Sequence, residues 1–591
     1  MATVLYLNNT MVYPDSNQTI RMTLENPYFT ESEAYTLEVT LPTDILENRK
    51  FFGNIHRMER SKQTEPMDCR MMVNNRPVLV GTARVTQVTE TAVKVQLLGG
   101  RSEINFLSSE NKDYIDELDL GYVIATRVTR VGTIDSSGGG RAEYIYSLST
   151  GMRIKSTPVY DETQMQFGHT RQLCLVDLVQ FCIEHYGFSL ERNDIDVAPW
   201  NNIYIATAMD TRIIRHTLPH WTVSEFLKEA CRFFNVTIYT DPIHKTASIV
   251  SNTDLPNRST VSLTPVDEYT AELTEDDEAG CMANDTLEYQ LSDSEHHDYD
   301  MIDEELRKTA SRLEYASRSA ALQAWQEMSS VVRDKKVFST ATEGDYASWT
   351  HEFNWKDQNT PSEQFTKIDM FAPLDRGGNT TELKIVPVAM GYIYEEIENP
   401  GSAVYKYWLV IPSMANPMPG EGYGQRMGGR RGSSGTASED STSVQDYIEG
   451  SSLPEKTEKE DRMQVMFVDD TVQTYGAYYT SVQDTWEEYE GTVGFTDADL
   501  KPQFAGSAHL PWSLSLNPTR TSSYLGLLHR NGYSFNTKVK TTMKFAADEI
   551  PDPRSIFIIK NKRYGCEKIE ANIDSSGFDR LMTGYFYEMT S

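Results

Sequence analysis

Leu218-Pro219-His220-Trp221-Thr222-Val223-Ser224-Glu225-Phe226-Leu227 decides the fold class, because it sets a well-signalled helix start in a chain patterned mostly as strands. Thr222 and Glu225 have capping-box spacing, and Trp221 ahead of the cap can pack on Phe226 as a hydrophobic staple. The helix runs through Ala230 to Phe233, and Asn235 can end it in the left-handed conformation. Val236-Thr237-Ile238-Tyr239 then leads through an Asp241-Pro242 turn into Ala247-Ser248-Ile249-Val250. Trp221 could instead be a sugar-stacking platform, but its place before a capping box favours packing.

Upstream, Leu175, Leu178, Val179, Cys182 and Tyr186 recur at helical spacing. Gly187 stands where a C-terminal cap belongs, and Phe188-Ser189-Leu190 resumes as strand. The two helix-strand units form an α+β domain, 161–265.

On either side the period is two. Tyr35-Thr36-Leu37-Glu38-Val39-Thr40-Leu41 puts Tyr35, Leu37, Val39 and Leu41 on one face of a strand, and Pro42-Thr43-Asp44 opens a short helical stretch through Phe51. Met72-Val73-Asn74-Asn75-Arg76-Pro77-Val78-Leu79-Val80-Gly81 reads as strand, turn, strand. Val93 to Leu98 alternates again before Gly99-Gly100, a turn and not a phosphate loop, since Arg101-Ser102-Glu103 follows without a GKS/T or GxGxxG frame. Residues 1–160 therefore read as an N-terminal β-barrel or meander, with Gly138-Gly139-Gly140 at a loop tip.

Past the α+β domain, 266–330 is an acidic connection followed by a helix from about Ile302 to Trp325, with Leu306, Ala310, Leu313, Ala316, Ala320 and Ala324 on one face. Its Asp267–Asp303 portion reads as a solvated or flexible link. Residues 331–412 are β-rich and include Lys406-Tyr407-Trp408-Leu409-Val410-Ile411; 413–462 is a Gly/Ser/Pro-rich insertion too polar to offset its ordering entropy. In 463–591, Ile556–Ile559 and Tyr564–Ile569 flank Asn561-Lys562 as a hairpin, and Ser575-Ser576-Gly577 turns the chain into a final strand near Gly584-Tyr585-Phe586-Tyr587. The fold class is α+β, β-rich and multidomain: small barrel or meander modules with helix-strand modules.

Composition narrows the function. At 591 residues the chain exceeds one hydrophobic core, and 39% hydrophobic against 24% charged residues is ordinary globular usage, so several cores are expected. Asp and Glu number 86 against 55 Lys and Arg, and a net charge of −31 repels phosphate backbones, which disfavours sequence-specific binding of nucleic acid. The same repulsion would suit a lumen through which DNA passes without sticking.

Met1–Leu7 lacks a basic start and apolar core, and no window reaches the ~20 apolar residues of a membrane span, so folding in the cytoplasm is expected. Cys69, Cys174, Cys182, Cys231, Cys281 and Cys566 lie far apart without CxxC pairs; those in helical runs read as small buried hydrophobes.

Chemistry-bearing frames are missing. There is no GxSxG, HExxH, Walker or Cys/His signature, and Glu295-His296-His297-Asp298 has no supporting ligand frame. No catalytic, cofactor-binding or metal-ligating residue is assigned, no cofactor is expected, and the chain does not read as an enzyme.

Three stretches, in order, resemble phage tail proteins, specifically the baseplate or tail-tip hub proteins of tailed phages and prophages of gut bacteria. The first is Asn26-Pro27-Tyr28-Phe29-Thr30 with the Tyr35-Thr36-Leu37 strand and the Val73-Asn74-Asn75 to Leu98-Gly99-Gly100 meander; the second is Leu218–Val223 with its helix and strand; the third is Phe557-Ile558-Ile559 to Tyr585-Phe586-Tyr587. The resemblance implies a virion protein made in the host cytoplasm. It also implies a homo-oligomeric ring, usually trimeric, that continues the tail tube, anchors baseplate or tail-fibre proteins and lets DNA through passively at genome ejection. Two other readings stay open: a receptor- or glycan-binding adhesin, given 32 Tyr and 8 Trp, and a polysaccharide hydrolase using two distant carboxylates.

Overall fold

The computed structural model describes residues 3–62, 65–134, 140–161, 166–207, 213–273, 283–290 and 532–590. It adds shorter stretches at 311–315, 336–341, 346–352, 363–364, 373–376, 379–387, 389–399, 403–414, 462–468, 476–480, 485–488, 501–502, 514, 516 and 525–529. The architecture is β-rich α+β with several sheets and, among the described residues, no closed barrel; the meander is the form the chain takes.

Eight strands open the chain: β1 (Thr3–Leu7), β2 (Thr10–Val12), β3 (Ile20–Glu25), β4 (Ala34–Thr36), β5 (Val39–Pro42), β6 (Met67–Val73), β7 (Arg76–Val88) and β8 (Ala92–Gly99). Their alternation buries one side: Leu5 and Leu7, Met67, Cys69, Met71 and Val73, and Val93, Val95 and Leu97 form a single core. Asn74 and Asn75 both take positive φ, 52° and 63°, the two-residue turn that matches strand twist.

Strands from the far end complete the sheet. Ser534–Ala546, Lys562–Asp574 and Leu581–Thr590 continue it outward from β3, which pairs antiparallel with Lys562–Asp574 from Ile20↔Ile573 to Glu25↔Lys568. The result is a 15-stranded sheet whose main path starts at Thr270–Leu273 and ends at β2. Ile573 sits in the N-terminal core, so the two ends of the chain share apolar packing as well as hydrogen bonds.

Among the described residues of the first half of the chain, five α-helices interrupt the strands: α1 (Pro27–Thr30), α2 (Leu46–Phe51), α3 (Arg101–Asn111), α4 (Leu175–His185) and α5 (Val223–Phe234). In α5, Thr222 Oγ1 accepts from Glu225 N at 3.2 Å, and Asn235 ends the helix at φ 48°. Glu225 reaches Lys384 at 3.1 Å, so it serves an ion pair as well as its place in the cap. Gly187 follows α4 at φ 78°. Helices α4 and α5 and the sheet of Ser189–Asn193, Thr246–Ser251 and Val236–Asp241 form an α+β unit. Its core holds Trp221, Phe226, Phe233 and Phe234, each at most 2% exposed, and extends to Leu287, Ile385 and Phe467.

Several expectations are corrected. Tyr35–Leu41 is two strands, not one: the chain breaks at Leu37 and Glu38, Leu37 is 48% exposed, and Ala34 and Thr36 take the buried side before Val39 and Leu41. One irregular step changes the parity of a period-two pattern. The C-terminal hairpin turns at Lys560-Asn561, φ 48° and 67°, with Ile559 opposite Lys562. The acidic connection is partly built into sheets. Thr270–Leu273 pairs with Ser534–Ala546, and Thr286–Tyr289 pairs parallel with Thr380–Leu383 while burying Leu287 and Tyr289. Local alternation there outweighs the acidic average.

Within the helix expected at 302–325, Ser311–Tyr315 is a strand antiparallel to Tyr346–Glu352; Arg-Leu-Glu-Tyr alternates as well as it spirals. The rest of that helix, Glu295–Asp298, Cys281 and most of 413–462 lie outside the described residues. Lys406–Ile411 falls in strand Ala403–Met414, as its pattern indicates. Among the described residues no helix is long and apolar enough to cross a membrane.

Candidate functional site

The main path of the long sheet ends at two edges, with side branches ending at Thr260–Leu263, Gly577–Phe578 and β5, and the sheet has one polar face. At one edge lies β2; at the other, Thr270–Leu273 is exposed at every residue. Along that second edge Val266, Tyr269 and Leu273 are 55%, 54% and 80% exposed, apolar side chains spaced out beside or on a strand with no further neighbour among the described residues. Such an edge is a template for another strand unless something covers it.

The side of the sheet opposite the core is a lattice of paired charges. Arg21 bonds Glu570, Lys94 lies 3.0 Å from Glu38, Lys540 2.6 Å from Glu567 and Lys568 3.7 Å from Glu570. Tyr35 donates its hydroxyl to Glu25 at 2.8 Å, and burial together with this carboxylate pushes its pKa up to about 12. Cations and carboxylates alternate here, so the face does not share the strong acidity of the whole chain.

Between this sheet and the α+β unit lies a buried polar joint. Glu33, 9% exposed, accepts from Arg101 N at 2.8 Å and Thr240 N at 3.0 Å, and also from the Thr240 hydroxyl. Burial holds its carboxyl above the ordinary range, although these hydrogen bonds pull the other way. Ser102 Oγ accepts from Glu33 N at 3.0 Å. Gly100 is required at this point: at φ 61° a Cβ would lie 2.2 Å from a Glu33 carboxylate oxygen and 2.4 Å from the Thr240 hydroxyl. Nearby, Glu103 accepts from Thr82 at 2.9 Å and from Lys245 at 2.9 Å, while Lys245 stands 4.6 Å above the Phe188 ring. Gly99-Gly100 is thus a turn that also starts α3, a helix its sequence did not announce.

A second joint ties the chain ends together. Asn26 caps α1 by accepting from Tyr28 N at 3.2 Å, and its amide donates to Pro553 O at 3.2 Å and Cys566 O at 3.0 Å. Asn26 belongs to the Asn-Pro-Tyr-Phe stretch noted in the sequence; its clamp role was not legible there, because the carbonyls come from 527 and 540 positions away.

Of the other residues singled out, Trp221 is 2% exposed and packed in the core, leaving no open ring face for a sugar. Cys174 and Cys182 are buried, and burial raises both thiols, Cys174 to about 12. Among the described residues no group of three or more His, Cys, Asp or Glu is placed to hold a metal ion.

No family model matches the chain, and no curated protein does. Among solved structures it is similar to the 43 kDa tail protein of prophage MuSo2 from Shewanella oneidensis, with TM-score 0.33 and 8% identity over 99% of this chain and 97% of that one. It is also similar to a tail protein from Neisseria meningitidis MC58, with TM-score 0.32 and 7% identity over 99% and 96%. Both of these neighbours are tail proteins, the first of them from a prophage.

Proposed function

We propose that this chain is a structural virion protein, a tail-hub subunit that forms a homo-oligomeric ring, three copies in number, continuing the tail tube and anchoring baseplate or tail-fibre proteins. The observation that carries the reading is the long sheet whose main path ends in two dissimilar edges, one of them flanked by exposed Val266, Tyr269 and Leu273. Two different edges suit head-to-tail contact, and such contact closes into a ring when its rotation allows. The order of sequence segments that resembles hub proteins supports the same reading. In the ring, DNA passes without being read, and the role is mechanical, not catalytic.

Sedimentation of the purified chain, alone and with tail-tube protein, tests this. A trimer that binds the tube protein is expected, and Leu273→Lys should shift the population toward monomer. A strict monomer at high concentration with no affinity for tube protein would overturn the reading.

A further inference from the structure

A cavity of about 80 Å³ lies where α1, the start of α3 and α5 converge, enough for on the order of five waters. Arg101, Lys228, Cys231, Arg232, Glu31 and Asp285 are among its lining residues. Lys228 and Arg232, one turn apart on α5, share Glu31 at 3.2 and 3.6 Å, and Arg232 also meets Glu229 at 3.1 Å. Asp285 accepts from the Thr381 hydroxyl at 2.7 Å.

Arg101 differs from these. It is 3% exposed, its backbone N–H goes to Glu33, and its guanidinium Nη1 is buried without a partner. Arginine cannot shed its proton to escape such a site, and burying an unpaired charge is strongly unfavourable. The planar fork of donors matches the geometry of an oxyanion, and the lining cations Arg101, Lys228 and Arg232 outnumber the lining carboxylates Glu31 and Asp285 by one.

We propose that this cavity binds a small oxyanion, a phosphate or a carboxylate, on Arg101 with Lys228 and Arg232. Bound there, the anion ties α1 and α3 of the sheet domain to α5 of the α+β unit. The site is independent of the proposed ring, since it lies within one subunit.

Cys231 provides the readout, because it lines the cavity and is only partly buried, whereas Cys69, Cys174, Cys182 and Cys566 are buried. Alkylation of Cys231 in the full chain is followed by peptide mass spectrometry in chloride, inorganic phosphate or acetate at matched ionic strength and pH. Phosphate or acetate should slow the reaction at least three-fold relative to chloride, and whichever does so more strongly identifies the anion class. Arg101→Met should abolish the protection. Arg232→Gln, at a more exposed position, should weaken it and serves where Arg101→Met does not fold. Equal Cys231 rates in all three salts for the native chain would overturn the proposal, as would protection undiminished in both variants.

Discussion

Asn26 and His529 show how much one side chain can carry here through partners distant in the sequence. Asn26→Ala removes a helix cap and orphans two buried carbonyls, so a loss of about 2–4 kcal/mol is expected, read as a lowered thermal midpoint. A midpoint within a degree of the native one would refute the clamp. His529 is fully buried; Nε2 lies 2.9 Å from the Phe233 carbonyl and therefore carries the proton, while Nδ1 has no partner. Burial lowers its pKa to about 3. The unfolded chain then binds a proton here near pH ~6.5 and the folded one does not, so stability is present above that pH and drains away as pH falls toward 3. Relative to His529→Gln, the native chain should lose about 2 kcal/mol between pH ~7 and ~5. Parallel pH profiles for the two proteins would rule this out. Asn26 caps α1 locally through Tyr28, but its clamp, like the seat of His529, comes from partners hundreds of positions away.

At the scale of elements, legibility followed signal strength. The α5 start, the Asn74-Asn75 turn and the Gly187 stop were readable because caps and two-residue turns demand particular residue types at fixed places. α3 was missed: its N-cap is Gly100 with no side-chain hydrogen bond, and its buried residues include Arg101, Ser102 and Glu103, so no apolar stripe advertised it. Those polar residues are inside because they join two units. Thr222→Ala, which loses only a cap, should cost about 1 kcal/mol. Gly100→Ala pushes a methyl into the Glu33 carboxylate and should cost of order 3 kcal/mol or more, measured by the same thermal unfolding. If Gly100→Ala proves the milder of the two, the Glu33 joint does not hold the units together.

Taken whole, the molecule departs from a string of beads. Residue pattern could assign strands to both ends but not their pairing, since alternation says which side is dry and nothing about the neighbour. Leu581–Thr590 pairs on both sides, with Ser534–Ala546 and Lys562–Asp574, so a chain ending at Asp579 should leave Cys566 open to rapid alkylation while Cys182, in α4, stays protected. Unchanged protection of Cys566 would refute this dependence. Arg21 meets Glu570 across 549 positions, and a ribosome adding about 5–20 residues per second needs roughly 30–110 s to make that interval. Through all that time the rim of β3 waits for a strand not yet translated. Synthesis of Lys562–Asp574 is therefore a clock: until that strand emerges, the outer rim of β3 lacks its pairing and the long sheet stays unfinished.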